Sequence, residues 1–157
     1  MNETSATTGV VVTPVSRCEY TAAFLLLRLF LGLRTLIEAI HKFESSGTYS
    51  TANYTKNMTR MAEGITGASF LPLWATKPYA LVLGYVLAIL GTALLLGVKT
   101  RTTLILSGLV YLSLSFGLMT VQESEGVAWL GMYVLMFVVA LVLVRNDRFS
   151  VWPDKFN

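Results

Sequence analysis

The amino-acid sequence predicts an all-α integral membrane protein, a four-helix bundle with a short interfacial helix in its first extracytoplasmic loop. Three observations carry that prediction. Charged residues make up 13% of the 157 positions and apolar types 54%, with a mean hydropathy of +0.62, whereas a soluble domain carries about 25% charge to coat its surface. The stretches 79–98, 102–121 and 127–144 contain no Asp, Glu, Lys or Arg, and 20–40 is apolar apart from Arg28, Arg34 and Glu38. Each stretch approaches the ~20 residues with which a helix of about 1.5 Å rise per residue crosses a ~30 Å hydrocarbon layer.

Taken in order, residues 1–18 read as a flexible cytoplasmic tail. The first 16 are rich in Thr and Ser and lack the basic segment and short apolar core of a secretory signal. A membrane domain follows over 19–148, with spans at about 20–42, 79–98, 102–121 and 127–145, and 149–157 form a short C-terminal tail. Between the first two spans lies a polar stretch in which Tyr54, Met58, Met61 and Ile65 recur at i, i+4, i+7 and i+11, opposite Lys56, Arg60 and Glu63. That spacing predicts a short amphipathic helix at the interface. Pro72 and Pro78, with Trp74 and Tyr79, mark the re-entry into lipid, since proline stops a preceding element and these aromatics favour the headgroup level.

The second and third spans are joined only by Lys99, Thr100 and Arg101, a tight antiparallel hairpin. The third and fourth are joined by 122–126, which carries Glu123 and Glu125 and no basic residue. With both termini in the cytoplasm, that face collects Arg17, Lys99, Arg101, Arg145, Arg148 and Lys155, as the excess of basic residues in inner loops demands. Asn-x-Thr triplets begin at Asn2, Asn53 and Asn57 and matter only in a glycosylating pathway.

Bulk features exclude several functions. The net charge of +3 is scattered over the chain, so no nucleic-acid partner is expected and the lipid bilayer is the expected surrounding. One cysteine, Cys18, and one histidine, His41, leave no disulfide framework and no metal site within this chain. No phosphate-binding glycine loop, nucleophile–base pair or paired-carboxylate site occurs, so no catalytic residue is assigned.

The informative chemistry lies on the first span. Arg34, Glu38, His41 and Lys42 are spaced by four, three and one residues and share a helical face, with Arg28 about a third of a turn away. An arginine at mid-membrane costs about 2.5–3.5 kcal/mol even on mild scales, so these groups need partners. Glu38 can accept from Arg34 and from Lys42. On the third span Thr103, Ser107, Tyr111 and Ser115 form a hydroxyl stripe, and on the second Gly84, Ala88 and Gly91 form a face that permits close approach. The expected assembly turns the charged stripe inward against the hydroxyls Ser107, Tyr111 and Ser115. Such an interior serves either as a structural ion-pair network or as a site for a small anion or a quinone head group. The tyrosines Tyr85, Tyr111 and Tyr133 inside the spans are expected to serve packing.

The run RLFLG at 28–32 followed by HKF at 41–43, the leucine run LGTALLLGVKTR at 90–101, and NDRFS at 146–150 resemble DoxX-type membrane proteins over roughly residues 20–150. That family includes DoxD, the small subunit of thiosulfate:quinone oxidoreductase. The resemblance implies a multi-pass protein of a bacterial or archaeal cytoplasmic (inner) membrane, the membrane part of a redox complex. Many members carry a glutamate on the second span where this chain has Val86 to Leu90 without an acid, and Glu38 could compensate. The leading expectation is an integral membrane subunit of a quinone-linked oxidoreductase complex of the thiosulfate:quinone kind. Arg28, Arg34, Glu38, His41 and Lys42 would line its pocket, and a partner redox subunit or a homo-oligomer would complete it. The rival expectation is a non-catalytic scaffold or assembly protein. A small-solute carrier is less suited, for lack of broken helices and inverted repeats.

Overall fold

The computed structural model describes residues 17–45, 47–146 and 151–152. Most of the predicted N-terminal tail, with Asn2, the closing motif after Asn146, with Arg148, and residues 153–157, with Lys155, lie outside them. The described chain is mostly helical: α1 (Arg17–His41), a hairpin of β1 (Glu44–Ser45) and β2 (Thr48–Tyr49), α2 (Thr51–Ala68), α3 (Leu73–Leu96), α4 (Thr100–Thr120), α5 (Ser124–Leu143) and a 3-10 turn at Val144–Asn146. Helices α3, α4 and α5 are each long and apolar enough to cross a membrane.

Local chemistry sets these boundaries. Ser50 caps α2, its side chain accepting from the Ala52 amide at 3.1 Å, which satisfies one of the amides that a helix start leaves open. The helix α3 begins at Leu73, six residues before the start expected from the aromatic and proline signals, and Pro78 lies inside it. Proline's fixed φ suits a helix, and close to the start it removes one backbone bond without stopping the coil. At the other end Gly97, at φ +70°, closes α3 in the left-handed region, and the Val98 amide reaches back to the Ala93 carbonyl at 2.9 Å, the bonding pattern of a Schellman motif. Lys99 then adopts φ +42° before α4 starts. The β1–β2 hairpin, with Glu44 opposite Tyr49 and Gly47 at φ +77°, is too short to show any periodicity in the sequence.

Helix α1 packs chiefly on α3 and also on α5, α4 packs chiefly on α5, and α3 meets α4, so these four close a ring. The α1–α3 seam is narrow because of glycine. A Cβ on Gly91 would sit 2.7 Å from the Leu36 amide nitrogen, and one on Gly32 would meet Leu95. The core includes Phe24, Leu31, Leu83, Leu87, Leu94, Leu104, Tyr111 and Phe137.

Helix α2 lies on α3 and touches α4. Tyr54 and Met58 are buried, Met61 and Ile65 half-buried, and Lys56, Arg60 and Glu63 exposed, as the spacing of the apolar residues predicts. Tyr54 is the anchor. Its hydroxyl donates to the Leu81 carbonyl at 2.5 Å and accepts from the Gly84 amide at 3.2 Å. A Cβ at Gly84 would lie 2.5 Å from its ring. Phe43 stacks on that ring at 4.5 Å, and Tyr85 meets it edge-on at 4.9 Å. A 2.8 Å bond between Thr66 and Thr76 ties the far end of α2 to α3. The amides of Asn53 and Asn57 hold the Thr48 and Glu44 carbonyls at 3.0 and 2.9 Å, so both side chains serve the α2 junction.

The chain returns after α5 to the α3–α4 turn. The Val151 and Trp152 amides donate to the Leu96 and Gly97 carbonyls at 3.3 Å, and the Lys99 amide donates to the Trp152 carbonyl at 2.9 Å. This return satisfies carbonyls that the end of α3 would otherwise leave open.

Candidate functional site

The buried stripe of α1 runs through Phe24, Arg28, Leu31, Thr35 and Ala39, spaced by fours and threes as one face of a helix must be. At about 100° per residue, Glu38 lies about 60° from the Thr35 direction, Arg34 about 100° and His41 about 120°. The charged groups therefore sit on the flank of the buried stripe, and burial follows that angle. Arg34 and Glu38 keep side-chain exposures of 35% and 33%, whereas His41 is exposed. Lys42, in the turn that follows α1, is half-buried.

Three of the five predicted first-span residues come together. Arg34, Glu38 and Lys42 line a cleft of about 120 Å³ with Leu87 of α3, Tyr111 and Leu114 of α4, and Leu130 of α5. All four helices of the ring thus contribute, and Arg34 lies about 10 Å below the end of α1 by helical rise. Arg28 is buried deeper, at 3% exposure, about 9 Å further along α1, and is not part of the cleft wall. His41 does not line the cleft either.

Arg34 is held on two sides. One guanidinium nitrogen pairs with Glu38 one turn later, and Nε donates to the Tyr133 hydroxyl at 3.0 Å. The guanidinium carbon lies 5.2 Å from the centre of the Tyr133 ring, within the range of cation–π attraction. Tyr133 in turn meets Tyr111 edge-on at 5.8 Å, and Tyr111 packs on Phe137 at 5.1 Å. Tyr111 reaches α1 through Thr35, oxygen to oxygen at 3.3 Å, and Thr35 donates to the Leu31 carbonyl at 2.7 Å.

The hydroxyl stripe of α4 is buried at all four positions, Thr103, Ser107, Tyr111 and Ser115. Of the three expected to face the charged groups, Tyr111 does so, while Ser107 and Ser115 are buried outside the cleft wall. The Ser107 hydroxyl has no partner among the described residues. Tyr133 is the residue that sequence reasoning missed: it was expected to serve packing, yet it bonds Arg34. Its place seven residues, two turns, before Ala140 on the buried side of α5 is the signal in the sequence. The arrangement offers a guanidinium and an ammonium as donors, a carboxylate and a phenol as hydrogen-bonding partners, and leucine walls. It suits the head group of a small, partly apolar molecule.

No family model matches the chain, and neither a curated protein nor a solved structure matches it.

Proposed function

We propose that the chain is a four-span integral membrane protein whose α1/α3/α4/α5 cleft receives a quinone-type head group, as the membrane subunit of an oxidoreductase assembly completed by a partner chain. Two features support the membrane reading. In α5 only 11% of the most apolar window is buried within the chain, and Leu26, Leu33, Ile89, Leu109 and Val142 are large apolar groups left facing outward. Water would penalise such surface at about 25 cal/mol per Å², whereas acyl chains would not. In this reading α1 is the fourth span, its Arg28 inside the ring, and α2 lies at the outer interface. The turn between α3 and α4 exposes Lys99 and Arg101 and the turn between α4 and α5 exposes Glu123 and Glu125, which favours the α3–α4 turn, and with it both termini, on the cytoplasmic side.

The observation that carries the ligand reading is the cleft itself: Arg34 and Lys42 open onto the same leucine-walled space as Tyr111. A quinone ring is flat, apolar on its faces and carries carbonyl acceptors at its edges, so cationic donors among leucines fit it. Arginine supplies planar donors and permanent charge. The bilayer would deliver such a ligand to the outward-facing flank of α1.

A second reading is favoured by Arg34 already being satisfied by Glu38 and Tyr133: the network then fixes helix packing in a scaffold or assembly protein. The R34L/E38Q double variant separates the two. In lipid nanodiscs, quenching of intrinsic fluorescence by a short-chain ubiquinone analogue is expected to saturate with the native chain and to lose saturation in the double variant at unchanged helix content. Saturation retained by a folded double variant refutes the ligand reading and leaves the scaffold.

A further inference from the structure

A threonine or tyrosine hydroxyl has one proton to donate and lone pairs with which to accept. The Thr35 hydroxyl lies 2.7 Å from the Leu31 carbonyl oxygen. That oxygen can only accept, so the Thr35 proton is engaged there. The same Thr35 oxygen lies 3.3 Å from the Tyr111 hydroxyl. With no second proton on Thr35, Tyr111 is the donor of that bond. Thr35 is fully buried and Tyr111 is 3% exposed, so bulk water does not exchange these roles. The proton of Tyr111 is thereby turned toward α1, and the phenol offers a ligand in the cleft its lone pairs alone. The Glu38 carboxylate, paired with Arg34, also only accepts. Donors on the wall come from Arg34 and Lys42.

We infer that the cleft selects a head group bearing a hydroxyl, an alcohol, phenol or quinol, over the matching carbonyl compound. This rests on the reading of the cleft as a ligand site and names the ligand's chemistry within it: of a quinone and its quinol, the quinol is held more tightly. A ligand hydroxyl donates to Tyr111 or Glu38 while accepting from Arg34 or Lys42. A carbonyl accepts from the cations equally well but faces Tyr111 lone pair to lone pair, unless it draws the phenol proton away from Thr35. Either way it forgoes one neutral hydrogen bond, worth about 1 kcal/mol, which corresponds to a preference of about fivefold.

Cyclohexanol and cyclohexanone form a probe pair of matched ring size in which only the alcohol carries a hydroxyl proton to donate. Ligand-observed saturation-transfer NMR on the full chain in nanodiscs, corrected for partitioning with empty nanodiscs, gives the ratio of their affinities. The native chain is expected to prefer cyclohexanol about fivefold. Thr35→Val removes the acceptor that turns the phenol inward, frees the Tyr111 proton for the cleft, and is expected to abolish the preference. Thr35→Ser keeps the hydroxyl and is expected to keep it, which separates the effect from a packing defect. If both probes bind the native chain with equal affinity and R34L/E38Q weakens both, the hydroxyl selection is wrong and the ligand site stands. If neither the double variant nor Thr35→Val alters the binding of either probe, both readings fall. A Thr35→Val chain that folds and retains the native ratio also overturns the selection.

Discussion

Replacing Gly91 by alanine puts one methyl group where α1 and α3 come closest. The new Cβ would stand 2.7 Å from the Leu36 amide nitrogen and 3.0 Å from its Cα, both backbone atoms, so no rotamer change relieves the overlap. Restoring an ordinary contact of about 3.4 Å requires the two helices to part locally by about 0.7 Å, and gaps of 0.5–1 Å forfeit about a quarter to a half of each dispersion contact. Overpacking of this kind costs about 1–3 kcal/mol, while alanine returns about 1 kcal/mol of helix propensity. Gly117 on α4 and Gly131 on α5 have nothing within 4 Å of a built Cβ, so their alanine variants receive the propensity gain alone and act as references. Gly91→Ala is therefore expected about 1–3 kcal/mol below Gly117→Ala. Gly32→Ala should fall between them, because its nearest contact, at 2.9 Å, is the terminal carbon of the Leu95 side chain. Unfolding in a fixed detergent followed by circular dichroism gives the order. A Gly91→Ala chain as stable as Gly117→Ala would refute the close α1–α3 seam.

Tyr54→Phe removes the bonds to the Leu81 carbonyl and from the Gly84 amide, both of which keep their helical partners within α3, and is expected to cost about 0.5–1.5 kcal/mol by thermal unfolding; a loss no larger than that of the exposed Tyr49→Phe would count against the anchor. Burial raises the Tyr54 phenol above its ordinary value near 10, the hydrogen bond from Gly84 opposing it, so the folded state holds that proton more tightly. The resulting stability is complete below about pH 10 and declines as pH rises through the folded value, so the native chain should lose stability more steeply than Tyr54→Phe in alkaline titration; parallel curves would contradict the shift. Truncation after Asn146 removes the partners of Leu96, Gly97 and Lys99, and amide exchange at Lys99 should accelerate; unchanged protection would mean the returning segment does not cap the turn. Spin labels at Ile89 and Val142, 69% and 74% exposed, should relax with lipid-dissolved oxygen and a label at Thr35 should not; relaxation by a water-soluble nickel chelate at the first two would overturn the membrane reading.

Much of the fold could be read from the sequence because its signals are local. The charge-free runs overlap most of α3, α4 and α5, and the spacing of Tyr54, Met58, Met61 and Ile65 places α2 and its buried side. What escaped depends on partners distant in sequence. Tyr54 and Gly84 were each assigned correctly to a packing face, but nothing within 30 residues of either says that one seats the other. Arg34 finds Tyr133 across 99 positions. The angular place of Arg34 and His41 on α1 was evident only as a shared face; which direction faces the ring depends on where α3 and α5 lie, and that direction turned out to be Thr35. The early start of α3 was hidden by Pro78, whose local signal is a stop although its position near the helix start is tolerated.

The segment that closes the α3–α4 turn is made well after the turn itself. Trp152 follows Gly97 by 55 positions, and at roughly 5–20 residues per second a ribosome needs about 3–10 s to reach it. During that interval the two helices are already synthesised while their connection lacks its final hydrogen bonds. Assembly of this end is thus timed by translation, and a chain released before Trp152 would retain its helices with that connection left unlatched.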